Sequence, residues 1–270
     1  MQKDIEGKKC KPGQYFVLTF DFSTIHASPN LAKANRNLIV ALNSSFEDFY
    51  ETYAAYLDDD VTSLCGNIDS QNPSKSLRNC NRLVQHVLSL AWEEDNEELD
   101  DVQGIYLLVD EYDAFTNNYL ETPNIAEPHK TTWDSTEVGS TFRSFWSTIK
   151  SLSSQGIRRV FITGISPLSL SGVCSGFNVA RNLSFDRDLA GLCGLTYSDL
   201  ENALKGIYND PEAYNGFLSE MTKFFNGYYF CKHEMVETVY NMETCLAYLQ
   251  CCIEGVTPEI QDPQNSEVSE

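Results

Sequence analysis

Three short segments of the chain are rich in apolar, aromatic and β-branched residues. They lie at positions 15–22, 105–109 and 158–164, and such composition is typical of β-strands. The second segment, IYLLV, has five apolar residues in succession, which is the pattern of a strand buried on both faces. We therefore expect a parallel sheet that is covered by helices on each side, because such strands occur there.

Between and after these strands, apolar residues recur at the three- to four-residue spacing of amphipathic helices. The predicted helices cover residues 29–60, 74–92, 139–154, 210–225 and 242–254, and a further helix begins at Thr196. A strand followed by a helix and a second strand predicts two parallel neighbours joined by a right-handed crossover.

Three local features complete this pattern. Ser74 is the expected cap of the helix at 74–92, because a hydroxyl can accept a hydrogen bond from the first helical amides. Residues 117–135 contain two prolines and predict a surface loop, and residues 182–185 predict a further short strand.

Three carboxylates, Asp110, Glu111 and Asp113, follow the second predicted strand. Ligands of parallel α/β sheets gather beyond the carboxyl ends of the strands. Successive strand residues point to opposite faces, so Asp110 and Glu111 can have separate tasks, one near a metal and one near a water. This division of tasks suits a nucleotide hydrolase, although an ordinary acidic loop after a strand has the same appearance.

The composition narrows the class of protein. The 270 residues are 42% hydrophobic and 12% aromatic, which predicts a globular chain with one main domain and an appendage. The net charge of -20 argues against general nucleic-acid binding, which requires clustered Lys and Arg. The nine cysteines include no C-x-x-C pair, and the sequence has neither a secretory segment nor an apolar run of membrane-spanning length. We expect free thiols, no membrane association and an intracellular location, cytoplasmic or nuclear.

A series of motifs then follows in a fixed order. It consists of LLVDEYD at 107–113, VFITGISP at 160–167, SGFN at 175–178, GLCGLT at 191–196, FNGYYF at 225–230 and VYN at 239–241. Together these motifs resemble the AAA-ATPase-like family of P-loop NTPases, most closely its fungal-type members, over roughly residues 13–250. The ordered series is far more specific than any one of its motifs.

The resemblance implies a three-layer P-loop NTPase-like α/β fold with a C-terminal helical lid, and a Mg²⁺-dependent ATPase activity. In that family the acidic segment is the Walker B motif, so Asp110 would bind Mg²⁺ and Glu111 would orient and deprotonate the attacking water. Asp113 would either support the outer shell of the metal or cap a loop by accepting hydrogen bonds from backbone amides. Thr163 would occupy the sensor position that can reach the γ-phosphate or the water, unless it only bonds its own backbone.

One family motif is missing from the sequence. A P-loop enzyme requires G-x-x-x-x-G-K-[ST], and no segment of this chain fits it. Family members carry this Walker A loop before the equivalent of residues 15–22, so the sequence is expected to begin after it. The strand that leads into the loop lies beside the sensor strand in this superfamily, and its absence would leave a gap in the sheet.

These observations predict three regions and leave more than one function open. Residues 13–190 are expected to form the AAA-ATPase-like core, residues 191–254 the helical lid and residues 255–270 a disordered acidic tail. The expected partner is a nucleotide, ATP with Mg²⁺, and catalysis is in doubt without Walker A. The alternatives are a non-catalytic protein-interaction module or a fragment derived from such an ATPase, which would bind a protein partner, and a metal-dependent nuclease that uses the same three acids.

Overall fold

The structure is a computed structural model that describes residues 12–26, 28–57, 61–94, 96–121, 136–165, 180–230 and 238–256. The chain divides into two units, residues 1–179 and 180–270, and each unit has its own hydrophobic core. Much of the predicted loop (122–135), the motif at 175–178 and the predicted tail beyond residue 256 lie outside the described residues. In the described ranges, no helix has both the length and the apolar character needed to cross a membrane.

The three predicted strands of the first unit form one parallel sheet. They are β1 (Phe16–Asp21), β2 (Ile105–Asp110) and β3 (Ile157–Ile162), in that spatial order, so β2 is central. The predicted α/β fold with a parallel sheet is therefore confirmed. Because the strands are parallel, their carboxyl ends meet at the same edge of the sheet.

Five helices of the described residues accompany this sheet. They are α1 (Leu31–Leu57), α2 (Val61–Cys65), α3 (Pro73–Glu93), α4 (Ala114–Glu121) and α5 (Glu137–Leu152). Helices α1, α3 and α5 contact one another, and α1 contacts β1. In the core, the Phe20 ring meets Phe46 of α1 and Phe145 of α5 edge to face, at centroid distances of 5.4 and 5.0 Å. Such aromatic burial fixes the position of the strands that end at the acidic edge.

Two local predictions in this unit are wrong. The cap of α3 is Asn72, whose side chain accepts a hydrogen bond from the Lys75 amide at 3.1 Å, whereas Ser74 lies buried inside the first turn. The reason is Pro73, because proline lacks an N–H and suits the first helical position, which moves the cap one residue earlier. Helix α4 also occupies the beginning of the segment predicted as a loop, since its residues include neither Pro nor Gly.

The second face of the sheet is more exposed than the sequence predicts. Leu18 and Leu107 on the inner face are fully buried, but Val17 is 36% exposed and Phe161 is 43% exposed. In β1 burial alternates strictly, as in a strand with one covered face. The connections from β1 to β2 and from β2 to β3 step in the same direction across the sheet. Right-handed crossovers that step in the same direction place their helices on the same face of the sheet. The described residues of this unit therefore cover one face, whereas a three-layer fold has helices on both.

Besides a one-turn 3-10 helix at Arg187–Leu189, the described residues of the second unit form three α-helices and a small antiparallel pair of strands. They are α6 (Tyr197–Ile207), α7 (Pro211–Phe225), β4 (Asn226–Tyr228), β5 (Val239–Tyr240) and α8 (Met242–Glu254). Leu200 and Leu204 of α6, Met221 of α7 and Cys245 of α8 are fully buried in its core. The assignment of these helices to a lid, and the predicted domain boundaries, stay predictions.

The start of α6 agrees with the sequence, but the short strand before it does not. Thr196 and Asp199 form a reciprocal capping box, in which each side chain accepts a hydrogen bond from the other residue's backbone N–H. Residues 182–185 are not a strand: Asn182 Oδ1 accepts from the Ser184 amide at 2.9 Å, and the Leu183 carbonyl accepts from Asp186. Asn and Ser side chains favour such local hydrogen bonds over a strand ladder.

Candidate functional site

The carboxyl edge of the sheet brings together side chains from all three strands. Asp21 ends β1 and pairs in register with Asp110, which ends β2. Thr163 follows the last residue of β3, and its N–H donates to the Val109 carbonyl at 2.8 Å, which extends the ladder to the same level. Asp110 and Thr163, predicted from separate motifs, are therefore neighbours in the structure.

The Asp110 carboxylate is held from two sides. Its Oδ1 atom accepts a hydrogen bond from the Glu111 backbone N–H at 3.0 Å and another from the Thr163 hydroxyl. The residue is exposed, and no described residue forms a hydrogen bond with its Oδ2 atom. One carboxylate oxygen is thus fixed in orientation, and the other is available to a ligand.

Glu111 has an unusual backbone conformation. Its φ angle is 46°, and it is the only non-glycine residue with positive φ in the part of the chain that the structure describes. For an L-residue this conformation costs about 1–2 kcal/mol, because Cβ approaches the carbonyl oxygen. The Glu111 carbonyl accepts a hydrogen bond from the Ala114 N–H at 2.9 Å, which closes the turn into α4. Such strain in a turn that carries an exposed acid is typical of functional sites.

Tyr112 and Asp113, unlike the two acids before them, are buried. The Tyr112 ring packs nearly perpendicular to Trp146 at a centroid distance of 6.4 Å, and its N–H donates to the Thr163 carbonyl at 3.1 Å. Asp113 is 2% exposed; its Oδ1 accepts from the Ile165 N–H and its Oδ2 from the Asn117 side chain, each at 3.2 Å. The three acids of the motif therefore differ in environment, with two exposed and one buried.

Asp21 was not identified from the sequence, although it lies beside Asp110. It is exposed, and its Oδ1 atom accepts a hydrogen bond from the Ser23 N–H at 2.8 Å, an ordinary turn contact. The available signal was its position near the end of the predicted strand at 15–22, much as Asp110 follows the predicted strand at 105–109. Only the parallel register, which a single sequence does not reveal, aligns the two.

The donor set at this edge fits Mg²⁺ better than a softer metal. Mg²⁺ prefers oxygen ligands and is commonly held by one or two carboxylates together with phosphate oxygens and water. The exposed Asp110 carboxylate supplies such an oxygen. The described residues include no cluster of three or more His, Cys, Asp or Glu side chains, which a closed structural metal site would require.

Comparison with known proteins agrees with the resemblance over the region of its first two motifs, at 107–113 and 160–167. A family model described as "Predicted AAA-ATPase" matches residues 3–174, which include β1 to β3 and all four predicted site residues. No curated protein matches, and no solved structure matches. The matched region covers more than half of the 270 residues. The chain therefore belongs to the AAA-ATPase-like family.

Proposed function

We propose that the first unit carries the acidic side of a Mg²⁺–ATP site. The observation that supports this most directly is the position of Asp110 at the carboxyl end of the central strand, with its carboxylate held by Thr163 and by the Glu111 amide. Ligand sites of parallel α/β sheets occur at this edge. Membership of the AAA-ATPase-like family supports ATP as the nucleotide.

Each residue has a distinct task in this proposal. Asp110 holds Mg²⁺ through its carboxylate, and Mg²⁺, when bound, neutralises the charge that develops on the phosphates. Glu111, exposed and next in sequence, orients a water and accepts its proton at the carboxylate. Thr163 keeps the Asp110 carboxylate in orientation through its hydroxyl.

The phosphates require a further element. The 270-residue sequence has no G-x-x-x-x-G-K-[ST], whose backbone amides and lysine bind phosphate. Among the described residues, β3 pairs with β2 on one side and with no strand on the other, and Phe161 of β3 is 43% exposed. We propose that a strand carrying the phosphate-binding loop completes the sheet beside β3. An in-frame match to this motif upstream of the Met1 codon would identify that strand.

The alternative is a protein-interaction module that has kept the fold without the activity. The half-exposed apolar side chains of the second sheet face, Val17 and Phe161, favour this reading, because apolar surface of this kind commonly contacts another polypeptide. The helices of the second unit would form the lid in the first proposal and a further contact surface in the second.

Calorimetric titration of ATP into the full chain, with Mg²⁺ and with EDTA, separates these two functions. We expect saturable binding with Mg²⁺ that weakens about tenfold, or ~1.4 kcal/mol, in EDTA and in Asp110→Asn. Glu111→Gln is expected to bind ATP normally but to hydrolyse it at least ~100-fold more slowly. Asp100→Asn, which removes an exposed acid of the segment before β2, is the matched control. No saturable binding at millimolar ATP, even when the strand with the phosphate-binding loop is present, would contradict the ATP site and favour the interaction module.

A further inference from the structure

We propose that Asp113 is a positioning residue: it holds the segment after β3 against the turn after β2 and so keeps the Thr163 hydroxyl on the Asp110 carboxylate. The contacts that carry this inference are independent of any ligand. Its importance for metal binding rests on the proposed function, in which Asp110 holds Mg²⁺.

Asp113 joins two segments that are distant in sequence. Its Oδ1 accepts a hydrogen bond from the N–H of Ile165, 52 residues away, while its Oδ2 accepts from the side chain of Asn117. The Asn117 backbone N–H also donates to the Asp113 carbonyl at 2.8 Å, which anchors the acid at the start of α4. Because Asp113 is 2% exposed, water competes little for these hydrogen bonds.

The side chain of Ile165 contributes little to this attachment. It is 91% exposed, so apolar burial of that side chain does not hold the segment after β3 in place. The backbone contact with Asp113 therefore provides the restraint at this position. Without it, the two residues after Thr163 would lose their hydrogen-bonded connection to the turn at Asp113.

Gly164 lets the two segments approach this closely. A Cβ atom at this position would lie 2.5 Å from the Asp113 Oδ1 atom and 2.5 Å from the ring of Tyr112. Both neighbours are buried and held by other contacts, so neither moves away freely. Any side chain at residue 164 would thus separate the segment after β3 from the turn after β2.

Thr163 transmits this restraint to Asp110. Its N–H donates to Val109, its carbonyl accepts from Tyr112, and its hydroxyl donates to the Asp110 carboxylate. The residue is therefore bonded on three sides to the end of β2 and the turn that follows. Asp113 binds the backbone N–H of Ile165, two residues after Thr163. The backbone is therefore held both at Thr163 itself and just after it, which fixes the position of the Thr163 hydroxyl.

This arrangement argues against a metal-shell role for Asp113. Both of its carboxylate oxygens are already engaged with protein donors, and the residue is buried, whereas Asp110 and Glu111 are exposed. Of the two roles that the sequence left open for Asp113, the contacts favour the one that braces the loop.

Amide hydrogen exchange, resolved by NMR, tests without any ligand whether Asp113 holds the segment after β3 against the turn after β2; we call this attachment the brace. The variants are Asp113→Asn, which preserves shape, and Gly164→Ala, which separates the segments. We expect the amides of Glu111 and Tyr112 to exchange about tenfold faster in both variants, while the amide of Leu107, in the middle of β2, keeps its rate. Faster exchange at Ile165 alone, with Glu111 and Tyr112 unchanged, would overturn the proposal.

The matched control is Asp69→Asn in the same unit. Asp69 also accepts several hydrogen bonds, from Lys75 Nζ at 2.9 Å and from the amides of Gln71 and Asn72 at 3.0 Å, but at the start of α3. Its loss is expected to lower stability and to leave the exchange of Glu111 unchanged. If Asp69→Asn speeds the exchange of Glu111 as much as Asp113→Asn does, the effect arises from global destabilisation, and that result would also overturn the proposal.

Binding of Mn²⁺ alone, followed by its EPR signal, tests the consequence for the site. We expect affinity to fall about fivefold or more in Asp113→Asn and Gly164→Ala and to be unchanged in Asp69→Asn. Equal affinity in the wild type and both brace variants would contradict a positioning role for Asp113. If the wild type binds no Mn²⁺, the proposed metal site fails, whereas the exchange measurements still decide whether the brace exists.

Discussion

The hydroxyl of Thr163, just beyond β3, donates a hydrogen bond to the Oδ1 atom of Asp110, the last residue of β2. Because the Glu111 amide donates to the same oxygen, this atom has two protein donors and its orientation is set by the fold. A hydroxyl engaged in this way acts on the acid that is proposed to bind the metal. Its contribution to ligand binding is therefore indirect and measurable by substitution.

Thr163→Val is expected to weaken Mg²⁺-dependent ATP binding about tenfold, because it removes the hydroxyl and keeps the β-branched shape. A hydrogen bond to a charged group contributes about 1.5–3 kcal/mol, and the exposure of this site favours the lower end. Thr163→Ser retains the hydroxyl and is expected to bind within about twofold of the wild type. Calorimetry measures both variants, and equal affinities for Val and Ser would exclude a role for the hydroxyl.

The left-handed backbone of Glu111 leads to a prediction about stability. Glu111→Gly is expected to be as stable as Glu111→Ala, or more stable by up to about 1 kcal/mol, because glycine adopts positive φ without steric strain. The larger entropy of glycine in the unfolded chain offsets part of this gain. Urea unfolding followed by tryptophan fluorescence measures the difference, since Trp146 is buried in the same unit.

The control for this comparison is Glu47, an exposed residue inside α1. There the order should be reversed, with the Gly variant about 1 kcal/mol less stable than the Ala variant, because glycine is unfavourable within a helix. If glycine is equally unfavourable at both positions, Glu111 does not have a left-handed conformation in solution.

Much of the sheet could be predicted because its strands have short apolar runs. The segment IYLLV forms β2 up to its last residue, Asp110, so both the strand and its acidic end were predictable. The exposure of Val17 and Phe161 was not predictable. A run of apolar residues shows that both faces of a strand are apolar, but it does not show which elements cover each face. Residues 182–185 have the composition of a strand, but the local hydrogen bond between Asn182 and Ser184 holds them in a turn instead.

The candidate site was predictable in its residue types and only partly in its geometry. Parallel strands bring their carboxyl ends together, which made the proximity of Asp110 and Thr163 a reasonable expectation. The alignment of Asp21 with Asp110 depends on register, and the burial of Asp113 depends on the close approach at Gly164. Both are products of long-range packing, which local sequence patterns do not encode.

A titration of Asp199 tests the capping box at the start of α6. The hydrogen bond from the Thr196 hydroxyl, followed by that from the Thr196 amide, lowers the pKa of the Asp199 carboxyl. A folded pKa below the unfolded value of about 3.9 stabilises the protein above that pH, and this contribution is lost as pH falls through the folded pKa. Asp199→Asn should therefore destabilise the second unit at pH 7, and the difference should vanish in strong acid.

NMR titration of the Asp199 carboxyl provides the direct measurement. In Thr196→Ala its pKa should rise toward the ordinary value, and α6 should lose about 0.5–2 kcal/mol of stability at pH 7. Thr196→Ser, which keeps the hydroxyl, serves as the control. An unchanged pKa in Thr196→Ala would show that the capping box does not form in solution.

Alkylation of the cysteines by iodoacetamide reports on both cores in one experiment. Burial raises the pKa of the Cys80 thiol to about 12 in the first unit and that of Cys245 to about 11 in the second, whereas Cys193 is exposed. At pH 8 a thiol of pKa 12 is ionised only to the order of one part in ten thousand, and the thiolate is the reactive form. Peptide mass spectrometry should therefore find Cys193 alkylated before Cys80 and Cys245, which stay protected until their own units open. Because the two cores are separate, the protection of Cys80 and Cys245 should be lost at different urea concentrations. Loss of both at one concentration would mean that the units unfold together, and labelling of Cys80 as fast as Cys193 in the folded protein would contradict its burial.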